Sequence, residues 1–251
     1  MNKIASYAIY TACAACLLAS APAIAGSGYY LVSIYENEGE KTIDYKSWSS
    51  FVDNRPTSTV PELGLSYMPN KTWYTEIYAS WFRRGAGSLA NSAWAWQNDF
   101  LLTHGQYPVD VALHTNLNRN TDTSRGVDFE FGPAMQTEFG RVQVNANVFL
   151  ERTYRTTPAT SPQMKYQWQA KYRYHSGVEL GLQGFGELGD WDNWSSKALQ
   201  SHRAGPVLSG SFKLGDAASI SQVIKYEASY VMGKLNARHA SVFSMRMQYA
   251  F

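Results

Sequence analysis

The stretch that decides the fold closes the chain: "FSMRMQYAF", residues 243–251. Large apolar side chains, those of Phe243, Met245, Met247, Tyr249 and Phe251, alternate there with polar or small ones. This period of two predicts a β-strand with one apolar face and one polar face. A terminal strand has two edges that need hydrogen-bonding partners, so the pattern favours a closed sheet in which the last strand pairs with the first.

Turn signals recur along the rest of the chain at intervals of about 36 residues, which fits two strands of about 12 residues with one tight turn and one longer loop. The signals are "PNK" at 69–71, "GQYP" at 105–108, "FGR" at 139–141, "HSG" at 175–177 and "GDAAS" at 215–219. Five such turns make six hairpins and predict 12 strands, the first being "KTIDYKSWSSF". If "YYLVSIYE", residues 29–36, also forms a strand, closure with 14 strands is the alternative.

Each strand between these turns alternates in the same way. In "RVQVNANVFLER", residues 141–152, the valines fall on one face, and arginine, glutamine and asparagine fall on the other. Aromatic residues make up 14% of the chain, which suits rings placed at membrane interfaces. The expected fold class is therefore all-β, a transmembrane antiparallel up-and-down β-barrel, with short turns on the periplasmic side and longer polar loops outside.

The first 25 residues read as an export signal, with Lys3, a short apolar run and Ala23-x-Ala25 before Gly26. The predicted organisation is a signal peptide over 1–25, an N-terminal extension or short extra strand over 26–40, and the barrel over 41–251. Export combined with a barrel predicts the outer membrane of a Gram-negative bacterium. With 22 basic and 20 acidic residues, the chain carries no charge excess that would point to nucleic acid.

The ending "MRMQYAF" resembles the C-terminal signal of bacterial outer-membrane β-barrels of the porin-like class. That resemblance implies that Met247, Tyr249 and Phe251 are read by the barrel-assembly machinery, and that outer-membrane lipids and lipopolysaccharide surround the protein. A finer similarity joins "FGELGDWDNW", "QSHRAGP" and "FKLG" to uncharacterised putative outer-membrane transporters of the aromatic-degradation-associated type.

The polar faces of the strands carry the functional prediction, because they face the lumen. Charged residues of both signs are expected to line it: Asp99, Asp110, Asp128, Glu130, Arg141, Glu151, Lys165, Lys171, Arg173, Glu179, Lys225 and Arg246. Two outcomes are open. The lumen is either a water-filled channel with acidic and basic walls, or a space filled by ion-paired side chains. A mixed lining counts against a channel selective for acidic oligosaccharides, which would favour a mainly basic one.

The resulting hypothesis is a porin-like channel for the passive passage of small solutes, with no cofactor. The alternative is a structural or adhesive barrel that acts through its loops, and a lipid hydrolase is a weaker one. The hydrolase would need a Ser and a His on the lipid-facing rim, where His202, His239 and Ser241 fall by parity.

"GFGELG" at 184–189 lacks a following helix for a dinucleotide site. "DWDNW" at 190–194 is a loop that could bind Ca²⁺ or a saccharide.

Overall fold

The structure is a computed structural model and describes residues 28–34, 37–175, 177–214, 222–235 and 237–251. The predicted signal peptide and the predicted turn "GDAAS" lie outside these residues. Within them, no helix is both long enough and apolar enough to cross a membrane.

In the described residues, strands account for nearly all of the regular structure, with a single 3₁₀ turn at Thr123–Arg125. The strands are β1 Lys41–Val52, β2 Ser58–Asn70, β3 Trp73–Arg84, β4 Ala90–Leu101, β5 Asp110–Asn120, β6 Val127–Phe139, β7 Val142–Tyr154, β8 Gln163–His175, β9 Val178–Asp190, β10 Asn193–Trp194, β11 Ser201–Leu214, β12 Gln222–Leu235 and β13 Arg238–Ala250.

Twelve of these strands form a closed antiparallel ring. Each strand pairs with its neighbour in the chain, β9 passes directly to β11, and β13 returns to β1 with Thr42 opposite Ala250. The two-residue β10 pairs only with the end of β9 and stays outside the ring. Phe251, which follows β13, exchanges backbone hydrogen bonds of 3.1 and 2.9 Å with Lys41, the first residue of β1. The prediction of 12 strands and closure through the terminal strand is confirmed, and the 14-strand alternative is wrong because residues 28–34 form no strand.

The alternation in sequence separates the two faces of the wall. Apolar side chains such as Leu65, Ile77 and Trp94 remain 57–65% exposed on the outer face, where a bilayer would cover them. Polar and charged side chains on the inner face are mostly buried. We use "loop end" for the rim where β1 ends and β13 begins, and "terminal end" for the opposite rim, where β1 begins and β13 ends.

The motif "GFGELG" is part of β9 and has a packing explanation. Gly184 and Gly186 lie opposite Trp168 and Tyr166 of β8. A Cβ added to either glycine would overlap the ring of its partner, so these rings lie directly over the glycine backbone. Such aromatic cover of strand glycines stabilises a sheet.

The connections differ from the sequence expectation in length. Eight residues, 102–109, join β4 to β5 at the terminal end, where a tight turn around "GQYP" was predicted. At the loop end only two residues separate Leu235 from Arg238. The reason for the longer turn is local: the Asp110 carboxylate accepts hydrogen bonds from the Thr103 hydroxyl and the Gly105 N–H, which stabilises a wider loop.

Candidate functional site: the lumen

The N-terminal segment, residues 28–34, lies inside the barrel. Tyr30 is 5% exposed and packs in a cluster of inward-facing apolar side chains in the half of the barrel nearer the loop end. The wall members of this cluster are Trp48, Val60, Phe185, Val231 and Val242, with Tyr29 and Phe82 packed against it. The segment therefore reaches up the lumen although β1 begins at the terminal end.

A second apolar cluster holds the segment further down. Val32 and Ile34 pack with inward-facing residues of β4, β5, β6 and β7, namely Leu101, Ala112, Ala134 and Phe149. Two hydrogen bonds fix the backbone there: the Val32 N–H donates to the Gln167 side-chain oxygen at 3.1 Å, and the Asn147 amide donates to the Val32 carbonyl at 2.9 Å. This combination of apolar and backbone contacts is that of a specifically docked segment, which we call the plug.

Arg203 of β11 anchors the upper part of the plug. Its guanidinium donates a hydrogen bond to the Tyr29 hydroxyl and lies 4.7 Å from the centre of that ring. The same guanidinium donates to Glu187 at 2.8 Å. The Arg203 side chain is 1% exposed, so its charge depends on these two partners for the interactions that water would supply.

Sequence reasoning missed the plug contact surface, although a signal was present. Trp48, Phe149, Phe185 and Val231 occupy inward positions where strict alternation calls for polar residues. Large apolar side chains facing a water-filled lumen would be unfavourable. Inward apolar residues on several strands thus indicate a second apolar element inside the barrel.

The wall next to the plug is crossed by buried ion pairs. Lys46 donates to both carboxylate oxygens of Glu76, at 2.8 and 2.9 Å, and lies 3.6 Å from Asp44. Asp44 also accepts from Arg246 at 2.5 Å. These four residues come from β1, β3 and β13, so the network ties the closing seam of the barrel to its neighbours.

A second buried chain of charges runs along the opposite wall. The Asp99 carboxylate lies 2.5 Å from Nδ1 of His114, whose Nε2 lies 3.4 Å from Glu130. Lys165 continues the chain, 3.5 Å from Glu130 and 2.5 Å from Glu151. Acidic and basic residues that the sequence places on adjacent strands thus meet as ion pairs.

A cavity of about 400 Å³ remains beside the plug at the terminal end, lined on the plug side by Leu31 and Ser33. Its wall carries amides, hydroxyls and charges: Gln136, Glu138, Gln143, Gln169, Lys171, Arg173, Glu179, Ser209, Ser211, Lys225, Glu227, Arg246 and Gln248. Each of its cations has a carboxylate partner, with Lys171 to Glu179 at 2.9 Å, Arg173 to Glu138 at 2.7 Å and Lys225 to Glu40 at 2.5 Å.

Most of the predicted lumen residues lie on inward strand positions. The structure places there Asp99, Asp110, Asp128, Glu130, Glu151, Lys165, Lys171, Arg173, Glu179, Lys225 and Arg246. Arg141 is the exception, because it lies in the two-residue connection between β6 and β7 and is exposed. Met247, Tyr249 and Phe251, the predicted assembly signal, lie along the outer face and rim at the terminal end.

The residues weighed for lipid hydrolysis do not form a Ser–His pair within the described chain. His202 hydrogen bonds to the Tyr166 hydroxyl at 2.8 Å and to Gln200 at 3.0 Å. His239 and Ser241 lie on β13, separated from His202 by β12.

In "DWDNW", Asp190 accepts a hydrogen bond from Gln163, and Asn193 and Trp194 form β10. No group of three or more His, Cys, Asp or Glu residues suited to a metal ion occurs in the described ranges.

Solved structures share this architecture. The KdgM porin in complex with disordered oligogalacturonate matches with a TM-score of 0.57 and 11% identity over 84% of this chain and 99% of that one. The NanC porin matches with a TM-score of 0.53 and 11% identity, over 82% of this chain and 98% of that one. An outer membrane channel from Pseudomonas putida F1 matches with a TM-score of 0.60 and 10% identity, over 90% of this chain and 100% of that one.

The chain shares the closed β-barrel fold of these outer-membrane channels. At this level of identity the likeness concerns the fold alone. No family model matches the chain, and no curated protein matches it in sequence.

Proposed function

We propose that this protein is an outer-membrane channel for the passive passage of small polar solutes, and that the plug sets how often it is open. The observation that carries the proposal is the closed ring with an apolar outer face and a charged lumen that holds a cavity of about 400 Å³. The likeness to porin folds supports it.

The plug is the feature that controls passage. It is seven described residues long, it belongs to no strand, and it is held by two apolar clusters together with contacts to Arg203, Gln167 and Asn147. Its side chains pack against inward residues on two sides of the lumen, β1, β2, β9, β12 and β13 on one side and β4 to β7 on the other, so we expect free solute flow to require its displacement. A segment joined to the wall only at β1 can leave without disturbing the twelve paired strands.

Selectivity follows from the pairing of charges. The cavity cations Lys171, Arg173 and Lys225 are each neutralised by a carboxylate, so the lining offers a solute amide and hydroxyl groups and the Glu227 carboxylate. A lining whose cations are all paired favours neutral polar solutes and small cations over anions. The oligogalacturonate bound by KdgM is a polyanion, for which this lining is poorly suited.

Planar-bilayer recording tests the channel proposal. Refolded protein is expected to give discrete current steps, and a salt gradient is expected to show no preference for anions because each cation lining the cavity has a carboxylate within 4.0 Å. Arg203→Lys should lengthen the open periods, since a lysine cannot serve Tyr29 and Glu187 with the same planar group. Protein that is shown to be folded but never conducts, with or without this change, would contradict a channel.

The filled lumen favours one second candidate, a structural or adhesive barrel that acts through its loops. This candidate predicts that the barrel stays silent even when the plug is removed. The same proposal includes three further points. The protein is exported with cleavage before Gly26, it is located in a Gram-negative outer membrane, and the assembly machinery recognises Met247, Tyr249 and Phe251. A lipid hydrolase is not proposed, because His202 is engaged by Tyr166 and Gln200.

A further inference from the structure

Four exposed arginines lie at or just beyond the strand ends of the loop end, and the channel proposal makes no use of them. Arg83 lies near the end of β3, Arg119 near the end of β5, Arg152 near the end of β7, and Arg155 directly follows β7. All four side chains are exposed. We call this set the arginine patch.

None of these arginines forms an ion pair with a carboxylate in the described part of the chain. The charged residues of the lumen contrast with this, because Lys46, Lys165, Arg173 and Arg246 all have carboxylates within 4.0 Å. The arginines of the patch therefore have no carboxylate partner within the described residues, whereas the lumen arginines Arg173 and Arg246 do. Unpaired guanidinium groups at a membrane interface suit phosphate, which they bind in a bidentate manner.

Two exposed aromatic rings lie beside the patch. Trp94 is 58% exposed and lies opposite Arg119 in the β4–β5 register. Tyr154 is 47% exposed, and the Arg152 guanidinium lies 5.2 Å from its ring centre. Exposed rings of this kind mark the interfacial belt of a membrane barrel, so the arginines are positioned to reach lipid headgroups.

The spacing favours a headgroup that carries more than one phosphate. Arg119 is opposite Val127 of β6, which is opposite Tyr154 of β7, and Arg152 lies two residues before Tyr154 in β7. Strand spacing then puts the Cα atoms of Arg119 and Arg152 about 12 Å apart. Two flexible guanidinium groups at that separation can bind two phosphates on one sugar headgroup, which a single-phosphate glycerolipid does not offer.

We propose that the arginine patch binds a phosphorylated glycolipid of the outer leaflet, with Trp94 and Tyr154 contacting its acylated sugars. The proposal rests on the proposed outer-membrane location with the loop end facing outward, and it is independent of conduction because it concerns the outer face alone. The terminal end supplies a matched control, because Lys41, Lys71 and Arg141 are exposed there.

The test measures retention of diphosphoryl lipid A by purified, detergent-solubilised protein in native mass spectrometry. The triple change Arg83→Gln, Arg119→Gln and Arg152→Gln is compared with Lys41→Gln, Lys71→Gln and Arg141→Gln. Because each basic residue near a charged lipid surface contributes several-fold, the loop-end variant should bind at least tenfold more weakly. The terminal-end variant should bind like the unchanged protein, and dephosphorylated lipid A should bind weakly to both.

Heat-modifiable gel mobility checks folding, and Arg119→Gln alone replaces the triple variant if that variant fails to fold. Equal retention of lipid A by the loop-end and terminal-end variants would overturn the proposal. Equal retention of phosphatidylglycerol and lipid A by the unchanged protein would also overturn it, since that result indicates a general anionic surface.

Discussion

Replacement of Tyr30 by alanine tests the docking of the plug most sharply. The Tyr30 ring is surrounded by Trp48, Val60, Phe185 and other inward apolar residues and is 5% exposed. Removal of a buried aromatic ring typically costs about 3–5 kcal/mol. Here the substitution should destabilise the docked plug relative to the undocked plug and leave the barrel itself intact, because the strands pair with one another and not with the plug.

A penalty of about 3 kcal/mol raises the ratio of undocked to docked plug about 100-fold. If undocking opens the channel, the open probability in planar-bilayer recordings should rise by a similar factor until it saturates. The unit conductance should not change, because the lumen wall is the same.

Tyr30→Phe is the matched control. The Tyr30 hydroxyl is buried and has no hydrogen-bond partner in the part of the chain that the structure describes. Its removal leaves the ring in place and takes away an unsatisfied polar group, so docking should be as strong or slightly stronger. An unchanged open probability in Tyr30→Ala, with folded protein, would refute the view that the plug gates the barrel.

Three further changes test other parts of the structure. Glu76→Gln removes the carboxylate that binds buried Lys46, and the loss of about 3–5 kcal/mol expected for breaking a buried pair should lower the denaturant midpoint of the barrel. Gly184→Val puts a side chain where the Trp168 ring lies, so overpacking of about 1–3 kcal/mol should lower the same midpoint. Phe251→Ala should reduce the amount of folded barrel in the outer membrane of living cells but leave refolding into detergent intact; equal loss in both would show a stability effect instead of a recognition effect.

The barrel could be predicted from sequence because its determinants are local. Period-2 alternation and turn signals lie within each hairpin, and the predicted first strand, "KTIDYKSWSSF", coincides with β1 almost residue for residue. The lengths of the connections were harder to predict from the sequence, because the eight-residue turn before β5 depends on the Asp110 side chain and not on Gly and Pro alone.

The content of the lumen could be predicted only in part. Parity indicates which charged residues face inward, but the pairing of Lys165 with both Glu130 and Glu151 requires the strand register and stagger. The plug position depends on contacts between residues more than a hundred positions apart, such as Val32 with Asn147. No local pattern in "YYLVSIYE" distinguishes a segment that pairs as a strand from one that packs inside the barrel.

The most direct measurement of the central claim is the single-channel current of the mature chain lacking residues 28–34, recorded beside the full mature chain. We expect brief, infrequent openings for the full chain and long, steady openings of a wide pore for the shortened one. Folding of both is established by heat-modifiable mobility. A folded shortened barrel that carries no current would contradict the account and favour a filled barrel that works through its loops.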